Sequence, residues 1–488
     1  MEFFNRRDFL KSTAGMSAAL AAGSVTEPAL AAQQSSSPND RLNVAVIGVR
    51  GQGRSHLSGY AGRNNCIVTH ICDVDTAVVG GALDSVQKAQ KVRPEYVQDL
   101  RRIMDNKNIH VVSIATPNHW HALAAIWALQ AGKHVYVEKP VSHNVSEGRR
   151  IYEFARKLNK VCQTGTQIRS GAGVREAIDF VHSGKLGKVL VARGLCYKRR
   201  DSIGQCGGPQ QPPKTMNYDL WCGPAPNNPP HRNGKFGPVH YDWHWIWDYG
   251  NGDLGNQGIH QMDVARWALG KSELARTAIS VGGRFGYADD GQTPNTQVCV
   301  FDYGDAQLIF EVRGRPTKDY RGSMVGNVIH CSDGYLVFPS YNTAIAYSPK
   351  GEVLRRFGDP KENVFNRHND NFIAAVRAGS NKGLHADIYE GHLSSALCHL
   401  ANISYRLGQS AQFNAKTQAF GDNKEAGETF ARMEAHLRDN MIPLDKTNYI
   451  VGRRLTVDPK TERFVNDSEA NAMLTRQYRK GFEVPASV

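Results

Sequence analysis

One stretch, LNVAVIGVRGQGRS from residue 42, limits the possible folds of this chain more than any other. It is a short apolar run followed at once by a glycine-rich turn. The run is rich in β-branched apolar residues, which is typical of a strand buried in a parallel sheet. The turn leaves the backbone bare, so a pyrophosphate could approach the amides at the start of the next helix. A plain tight turn is the alternative. The residues expected to contact a dinucleotide here are Gly48, Arg50, Gly51, Gln52 and Gly53.

An acidic residue follows the turn at the distance expected for binding the ribose of a dinucleotide. The next apolar stretch, CIVTHICD, ends in Asp73, twenty residues after Gly53. A carboxylate at this place accepts hydrogen bonds from the hydroxyls of an adenosine ribose and repels a 2′-phosphate. The pattern therefore favours NAD over NADP, although Arg50 in the turn leaves NADP open.

The alternation of strands and helices continues through residues 41–162. We predict a helix near 96–105, strands over 110–116 and 133–139, and a helix over 118–131. Strands that alternate with helices of this length indicate an α/β domain with a doubly wound parallel sheet. Residues 41–162 are therefore predicted to form a Rossmann dinucleotide-binding domain.

The second half of the chain has a different pattern. Extended stretches with Gly and Asp turns, starting with VCQTGTQIRS at residue 161, predict a C-terminal α+β domain with a large, mainly antiparallel sheet over 163–410. A Pro/Gly- and aromatic-rich segment, 201–250, is long enough to indicate a functional loop. Residues 411–488 are interpreted as an insertion and a C-terminal tail that packs on the core.

The N-terminus carries a targeting pattern. Arg6 and Arg7 precede Phe9, a short Ala/Gly-rich apolar run and the sequence ALA at 29–31. This order resembles a twin-arginine export signal over residues 1–32, followed by a linker over 33–40. We expect a periplasmic or otherwise exported protein that contacts the membrane only during export. That route carries folded proteins, often with their cofactors already bound.

Charge and cysteine content limit the choice of partners. The formal net charge is +13, but no basic block or zinc-finger spacing points to nucleic acid. A basic soluble surface explains the charge, with an acidic substrate or an anionic envelope surface as the alternative. Nine cysteines without a Cys-x-x-Cys pair favour free thiols, and a Cys206–Cys222 disulfide is the alternative. We expect no metal ligands.

Four motifs in order carry a family resemblance: the glycine turn, TPNHWH at 116–121, GKHVYVEKP at 132–140 and GIHQMDVARW at 258–267. Together they resemble the Gfo/Idh/MocA family of NAD(P)-dependent oxidoreductases, in particular an exported subgroup. The resemblance implies a substrate among sugars, inositols and polyols, and a homo-oligomer. It also implies that Lys139 and His260 are catalytic. The further cofactor contacts it implies are Thr116, Pro117, Asn118, His121, Glu138 and Lys139 itself.

The sequence departs from the family four residues before His260, where many members carry aspartate and this chain has Asn256. An amide holds a hydroxyl group but accepts no proton, so His260 would be the base, and we expect it to titrate near its usual pH of about 6–7. Aromatic faces stack on sugar C–H surfaces, which points to the segment after residue 240. The expected substrate contacts are Gln167, Arg169 and Tyr197 on strands of the second domain, with Trp243, His244, Asn256 and His260.

Three functions remain open from the sequence. The first is an oxidoreductase that transfers hydride from a sugar, polyol or glycoside to a tightly bound nicotinamide cofactor, which a second substrate then resets. The second is a glycoside hydrolase resembling family 109, which oxidises its sugar transiently, although Lys139 departs from that pattern. The third is a sugar-binding protein without catalysis.

Overall fold

The computed structural model describes residues 40–413 and 419–487. The predicted export signal and all of the predicted linker except Asp40 lie outside the described residues. Among the described residues, none of the helices combines the length and apolar character that crossing a bilayer requires.

The first sheet has six strands and is entirely parallel. Its strand order is β3-β2-β1-β4-β5-β6. The strands are β1 (Leu42–Ile47), β2 (Cys66–Cys72), β3 (Glu95–Val97), β4 (Val111–Ile114), β5 (His134–Val137) and β6 (Cys162–Thr164). The helices between them are α1 (Gly53–Tyr60), α2 (Gly80–Gln90), α3 (Arg101–Asp105), α4 (Asn118–Gln130) and α5 (Val145–Lys157). The order reverses between β1 and β4, and ligands of such sheets bind at this point.

Two local predictions for this region are wrong. The helix expected near 96–105 is only α3, because Glu95–Val97 pairs with β2 as an edge strand. The stretch from residue 161 was expected in the second sheet, but Cys162–Thr164 pairs in parallel with β5. A strand of three residues is too short for its sequence to specify a partner, so the neighbouring backbone decides its sheet.

The second sheet is mixed and mostly antiparallel. Its main order is β14-β13-β12-β11-β7-β10-β9-β8-β16-β15, and β17 joins it beside β8 and pairs with β18. Among the described strand pairs of this second sheet, only the pair of β7 and β10 is parallel. The strands are β7 (Val189–Cys196), β8 (Thr277–Gly283), β9 (Thr296–Asp302), β10 (Gln307–Arg313), β11 (Val325–Cys331), β12 (Gly334–Phe338), β13 (Ala344–Tyr347), β14 (Val353–Phe357), β15 (Gln409–Gln412), β16 (Asn448–Val451), β17 (Leu455–Asp458) and β18 (Arg463–Phe464). This architecture confirms the predicted fold class.

The remaining helices cover this sheet and join it to the first domain. They are α6 (Ala172–His182), α7 (Tyr218–Cys222), α8 (Ile259–Ala268), α9 (Val364–Ala378), α10 (Ile388–Arg406), α11 (Lys424–Asp439) and α12 (Ser468–Ala472). Helix α10 is buried along most of its length because it packs on α5 of the first domain and on α8 and β8 of the second. Helix α10 therefore joins the two domains and also packs on α8, which lies on β7 and β11 of the second sheet.

Candidate active site

A cavity of about 660 Å³ lies at the carboxyl ends of the first sheet's strands. The glycine turn and the ends of β2, β4 and β5 form one wall, and the second domain's α8 and residues 240–244 form the other. The volume is in the range of pockets that enclose small ligands and cofactors. It lies where the strand order reverses, as a doubly wound sheet predicts.

The glycine turn leaves no space for side chains at two of its positions. Gly48 has φ +83°, and a Cβ atom there would lie 2.7 Å from the carbonyl oxygen of Ala115. A Cβ on Gly53 would lie 1.7 Å from the carbonyl oxygen of Gly48. Gly51 instead faces open space. The turn brings bare backbone to the cavity, where Gly48, Arg50, Gly51 and Gln52 line it, while Gly53 lies behind it and begins α1.

Asp73 is oriented by the backbone around it. Its Oδ2 accepts a hydrogen bond from the amide of Val49 at 2.8 Å, and its Oδ1 accepts one from the amide of Asp75 at 3.0 Å. Burial raises the pKa of Asp73 to about 6, although both of these hydrogen bonds lower it. Asp73 also lines the cavity. Its oxygens are thus fixed by the protein and still face the space that a ribose would fill.

The segment after β4 presents unpaired polar atoms. Thr116 Oγ1 and Asn118 Oδ1 are buried and have no hydrogen-bond partner within the described parts of the chain. Thr116, Pro117 and Asn118 all line the cavity. Buried polar atoms are normally paired, so these two are suited to a polar ligand.

His121 lines the cavity but is engaged by the protein on both sides. Its Nδ1 lies 2.6 Å from the carbonyl oxygen of Pro140, and its Nε2 lies 2.7 Å from that of Thr116. Burial lowers the pKa of His121, while the two carbonyl contacts raise it. His121 thus holds the segments after β4 and β5 together, and its direct contact with a cofactor stays a prediction.

Glu138 is a buried anion with internal partners. Its Oε1 lies 3.2 Å from His56 Nε2 and 3.2 Å from Gln167 Nε2, and its Oε2 accepts from the amide of Lys139. Burial alone would raise the pKa of Glu138, but the hydrogen bond and charge of His56, with the charge of Lys139, hold it at about 2. Glu138 thus lines the cavity as an anion beside Lys139 and Gln167, and its direct contact with a cofactor stays a prediction.

Lys139 reaches across the cleft to the helix that carries His260. Its Nζ donates a 2.8 Å hydrogen bond to the carbonyl oxygen of Asn256. Asn256 lies in a π-helical turn, Leu254–Gly258, directly before α8, and such turns are frequent at functional sites. Burial lowers the pKa of Lys139, opposed by the charge of Glu138.

His260 is a neutral imidazole at neutral pH. Burial, followed by the charge of Lys139, lowers its pKa to about 3, so the expected titration near pH 6–7 is wrong. Its Nδ1 is buried without a partner in the described chain, and its ring lies 5.3 Å from that of Tyr341. A neutral imidazole beside an ammonium group accepts a proton from a ligand placed between them.

The sequence matches the family model described as "Oxidoreductase family, NAD-binding Rossmann fold" over residues 42–166. Residues 171–437 match the model of the family's C-terminal alpha/beta domain. The chain belongs to the Gfo/Idh/MocA oxidoreductase family. Its first domain is thus an NAD-binding Rossmann domain.

Two curated relatives differ in their chemistry. The chain is 28% identical over 207 residues to an alpha-N-acetylgalactosaminidase of Shewanella oneidensis, which covers 39% of this chain and 45% of that protein. It is 28% identical over 318 residues to levoglucosan dehydrogenase of Pseudarthrobacter phenanthrenivorans, which covers 61% of this chain and 73% of the relative. The chain therefore spans less than half the length of the galactosaminidase.

A solved structure of levoglucosan dehydrogenase in complex with NADH and levoglucosan has the same fold. The TM-score is 0.57 at 20% identity, over 74% of this chain and 96% of that one. At this identity the likeness establishes the architecture of both domains.

Two predicted substrate contacts of this Gfo/Idh/MocA protein are wrong. Arg169 donates to both oxygens of Asp263, at 2.7 and 2.9 Å, and to Glu390 at 3.0 Å, away from the cavity. The Tyr197 hydroxyl donates to Glu311 at 2.7 Å. Buried charges and hydroxyls are normally paired, and here distant parts of the chain provide the partners. Neither residue lies on a strand facing ligand, and Gln167 and Arg169 lie in a 3-10 turn, Gln167–Ser170.

The other predicted substrate contacts lie at the cavity. Trp243 and His244 line it, with ring centroids 3.7 Å apart and nearly parallel planes. Asn256 lines it as well, and its Nδ2 is buried without a partner in the described chain. These groups provide a flat aromatic surface and a free amide donor.

Several cavity residues were not among the predicted contacts. Gln257 accepts a hydrogen bond from Lys198 at 2.8 Å and donates one to the Tyr341 hydroxyl at 2.6 Å. These hydrogen bonds connect Lys198 to the tyrosine whose ring lies beside His260. Phe482 of the C-terminal tail lines the opposite end, packed edge-on against Trp120 at 5.7 Å. No local pattern marks Phe482, because its position depends on where the folded tail ends.

Proposed function

We propose that this protein is an NAD-dependent oxidoreductase that oxidises a CH–OH group of a sugar, polyol or glycoside. The observation that carries the proposal is the placement of Lys139 Nζ and the neutral His260 in one cavity with Asp73 and the glycine turn. Membership of the family and its sugar-converting relatives support this activity.

The cavity fits the cofactor on its own chemistry. The bare turn at Gly48–Gln52 would hold the pyrophosphate, Asp73 the adenosine ribose, and the unpaired atoms of Thr116 and Asn118 the nicotinamide side. When bound, the cofactor supplies the hydride acceptor. Asp73 opposes a 2′-phosphate, and the guanidinium of Arg50 lies over the ring of Phe236 at 5.4 Å, so we infer NAD rather than NADP.

The protein's own groups would handle the proton. With the substrate hydroxyl between them, the Lys139 ammonium donates a hydrogen bond to its oxygen, and His260 accepts its proton. The positive charge of Lys139 favours the alkoxide that develops. The carboxylate of Glu138 offsets part of the positive charge of Lys139. Trp243 and His244 would stack on the sugar ring.

A glycoside hydrolase that oxidises its sugar transiently is the second candidate. Proteins named as glycosyl hydrolase family 109 match part of the chain at 28% identity, which favours it. Both candidates need the same cofactor and the same base. They differ in the fate of the hydride, which returns to the substrate in a hydrolase.

We further propose that the protein is exported by the twin-arginine route, retains its cofactor through the cycle and forms a homo-oligomer. Paired Arg6 and Arg7 before a short apolar run support export to the periplasm. A protein outside the inner membrane has no ordinary soluble NAD pool, so the nucleotide would have to enter with the folded chain. The exposed apolar side chains of Val353 and Leu354 on edge strand β14 support self-association.

One experiment tests the central proposal. The protein is purified from its own host, denatured, and any released nucleotide is identified by mass. We expect NAD or NADH in near-stoichiometric amount. A protein that carries no nucleotide and shows no binding of added NAD below roughly millimolar concentration would contradict the proposal. Incubation with sugars and with aryl glycosides then separates the two candidates, since only a hydrolase releases the aglycone without a net change in nucleotide redox state.

A further inference from the structure

Three side chains with metal-binding atoms meet outside the cavity. Cys206, His231 and Asp290 place one thiol, one imidazole nitrogen and one carboxylate oxygen within 4.8 Å of one another. All nine cysteines are in the described residues and unpaired, and Cys206 is the only one that is not buried. Cys222, its alternative disulfide partner, is buried and contacts Asn227 instead.

The distance between the sulfur and the imidazole nitrogen fits a tetrahedral ion. Zinc binds thiolate sulfur at about 2.3 Å and imidazole nitrogen at about 2.0–2.1 Å, so a tetrahedral angle places the two atoms roughly 3.6 Å apart. Cys206 Sγ lies 3.7 Å from His231 Nδ1. The same distance also fits a weak thiol–imidazole hydrogen bond, and Cys206 Sγ lies 3.1 Å from the carbonyl oxygen of Gly208.

The backbone positions two of the three ligands independently of an ion. Asp290 Oδ2 accepts a hydrogen bond from the amide of Cys206 at 2.8 Å, and the amide of Asp290 donates to the carbonyl of Gly204 at 3.0 Å. The neighbouring Asp289 accepts from the amide of Ile203 at 2.9 Å and pairs with Arg284. The 202–206 loop is therefore fixed to the turn at 289–290. These contacts hold the thiol and the carboxylate close together and do not involve His231.

We propose that Cys206, His231 and Asp290 form a binding site for a zinc-class divalent cation, separate from the NAD site. Three protein ligands leave one position for water, consistent with the exposure of His231. Binding releases the thiol proton of Cys206 to solvent, since the thiolate is the ligand form. A mixed sulfur, nitrogen and oxygen ligand set selects zinc over magnesium or calcium.

The site lies on the segment that leads into the cavity wall. His231 is followed by the buried Arg232, which donates to the carbonyl of Val239 at 3.0 Å. His240 comes next, lines the cavity and contacts Asp75 at 2.7 Å. A cation that anchors His231 to Cys206 and Asp290 would thus brace the wall that carries Trp243 and His244.

The test measures metal binding directly, with the nucleotide-loaded full-length protein. Zn²⁺ affinity is measured by competition with a chromophoric chelator, and Co²⁺ is added as a probe because a thiolate ligand gives an intense sulfur-to-cobalt absorption. We expect one equivalent per chain. Cys206→Ser and His231→Ala should each weaken binding by more than about 100-fold, beyond the 10–100-fold typical of losing an outer-shell partner. The Co²⁺ absorption should vanish in Cys206→Ser.

Two matched variants serve as controls. His182→Ala removes an exposed histidine elsewhere, and Cys331→Ser removes another thiol; both should bind Zn²⁺ like the original chain. Retained nucleotide in every variant shows that it is folded. Absence of stoichiometric binding, or binding unchanged in Cys206→Ser and His231→Ala, would overturn the proposal and leave a thiol–imidazole pair only. Neither result bears on the NAD site.

Discussion

The ammonium group of Lys139 donates a hydrogen bond to the backbone carbonyl of Asn256, 117 residues further along the chain, at 2.8 Å. This contact joins the end of β5 to the π-helical turn before α8. It places the positive charge of Lys139 close enough to His260 to contribute to the low pKa of its imidazole. A cation and a neutral base are thus held in one cavity by two different domains.

Replacing either member of this pair should remove most of the activity. We expect Lys139→Ala and His260→Ala each to lower kcat by at least about a hundredfold, the usual effect of losing a donor to developing negative charge or a positioned proton-transfer group. Both chains should fold, since Glu138 keeps His56 and Gln167 as partners. Steady-state kinetics with the identified substrate checks this, with the exposed Lys185→Ala as control. A near-normal rate in either variant would remove that residue from the mechanism.

The acid limb of the rate profile should lie well below the usual imidazole range and should respond to charge at position 256. His260 must be neutral to accept a proton, and its pKa is about 3. Asn256→Asp adds a negative charge that stabilises imidazolium, so the limb should move to higher pH. Asn256→Ser removes the amide without adding charge and should leave the limb in place. A pH–rate series that shows no shift in Asn256→Asp would disprove this account.

Cofactor affinity should fall as the pH drops below 6. Burial raises the pKa of Asp73 to about 6, so the carboxylate that would accept the ribose hydroxyl groups becomes protonated below that pH. The association constant for NAD should then decrease by up to about tenfold per pH unit. Asp73→Asn should bind weakly and without this pH dependence, whereas the exposed Asp84→Asn should behave normally. Calorimetric titration of nucleotide-free protein between pH 5 and 7 measures this, and a flat profile would refute it.

The C-terminal tail should slow the loss of cofactor. Phe482 lines the cavity together with Leu100 and Arg101, which follow β3 at the end where the adenosine would lie. Phe482→Ala removes this aromatic contact and should speed nucleotide release by about tenfold, equal to about 1.4 kcal/mol. The exposed Lys480→Ala is the matched tail control. Nucleotide retained after timed gel filtration reports the rate, and equal retention in both variants would contradict a role for the tail.

Arg169 should contribute to stability rather than to substrate binding. It is almost fully buried and paired with Asp263 and Glu390. Arg169→Met leaves the carboxylate of Asp263 without its main partner and should lower the free energy of unfolding by about 3–5 kcal/mol. The surface pair between Arg355 and Glu176 provides the comparison, since Arg355→Ala should cost at most about 1 kcal/mol. Chemical denaturation measures both, and a raised KM with unchanged stability in Arg169→Met would restore the substrate role.

Features that depend on neighbouring residues could be predicted from the amino-acid sequence. The β1 strand, its glycine turn and Asp73 lie within 32 residues, and the steric need for glycine at positions 48 and 53 is a property of that local backbone. The place of Lys139 at the cavity could be predicted as well, because the carboxyl end of a parallel strand lies on the ligand side of its sheet. The prediction of the fold class needed only the alternation of apolar strands and helices along the chain.

Which polar groups are free to bind a ligand depends on contacts between distant parts of the folded chain. Arg169 and Tyr197 were predicted as ligand contacts, but their polar atoms are paired with partners from distant elements. The pKa of His260 depends on burial and on Lys139, and the position of Phe482 on the path of the tail. Hydrogen bonding and desolvation act between atoms that folding brings together, so spacing along the chain does not encode them.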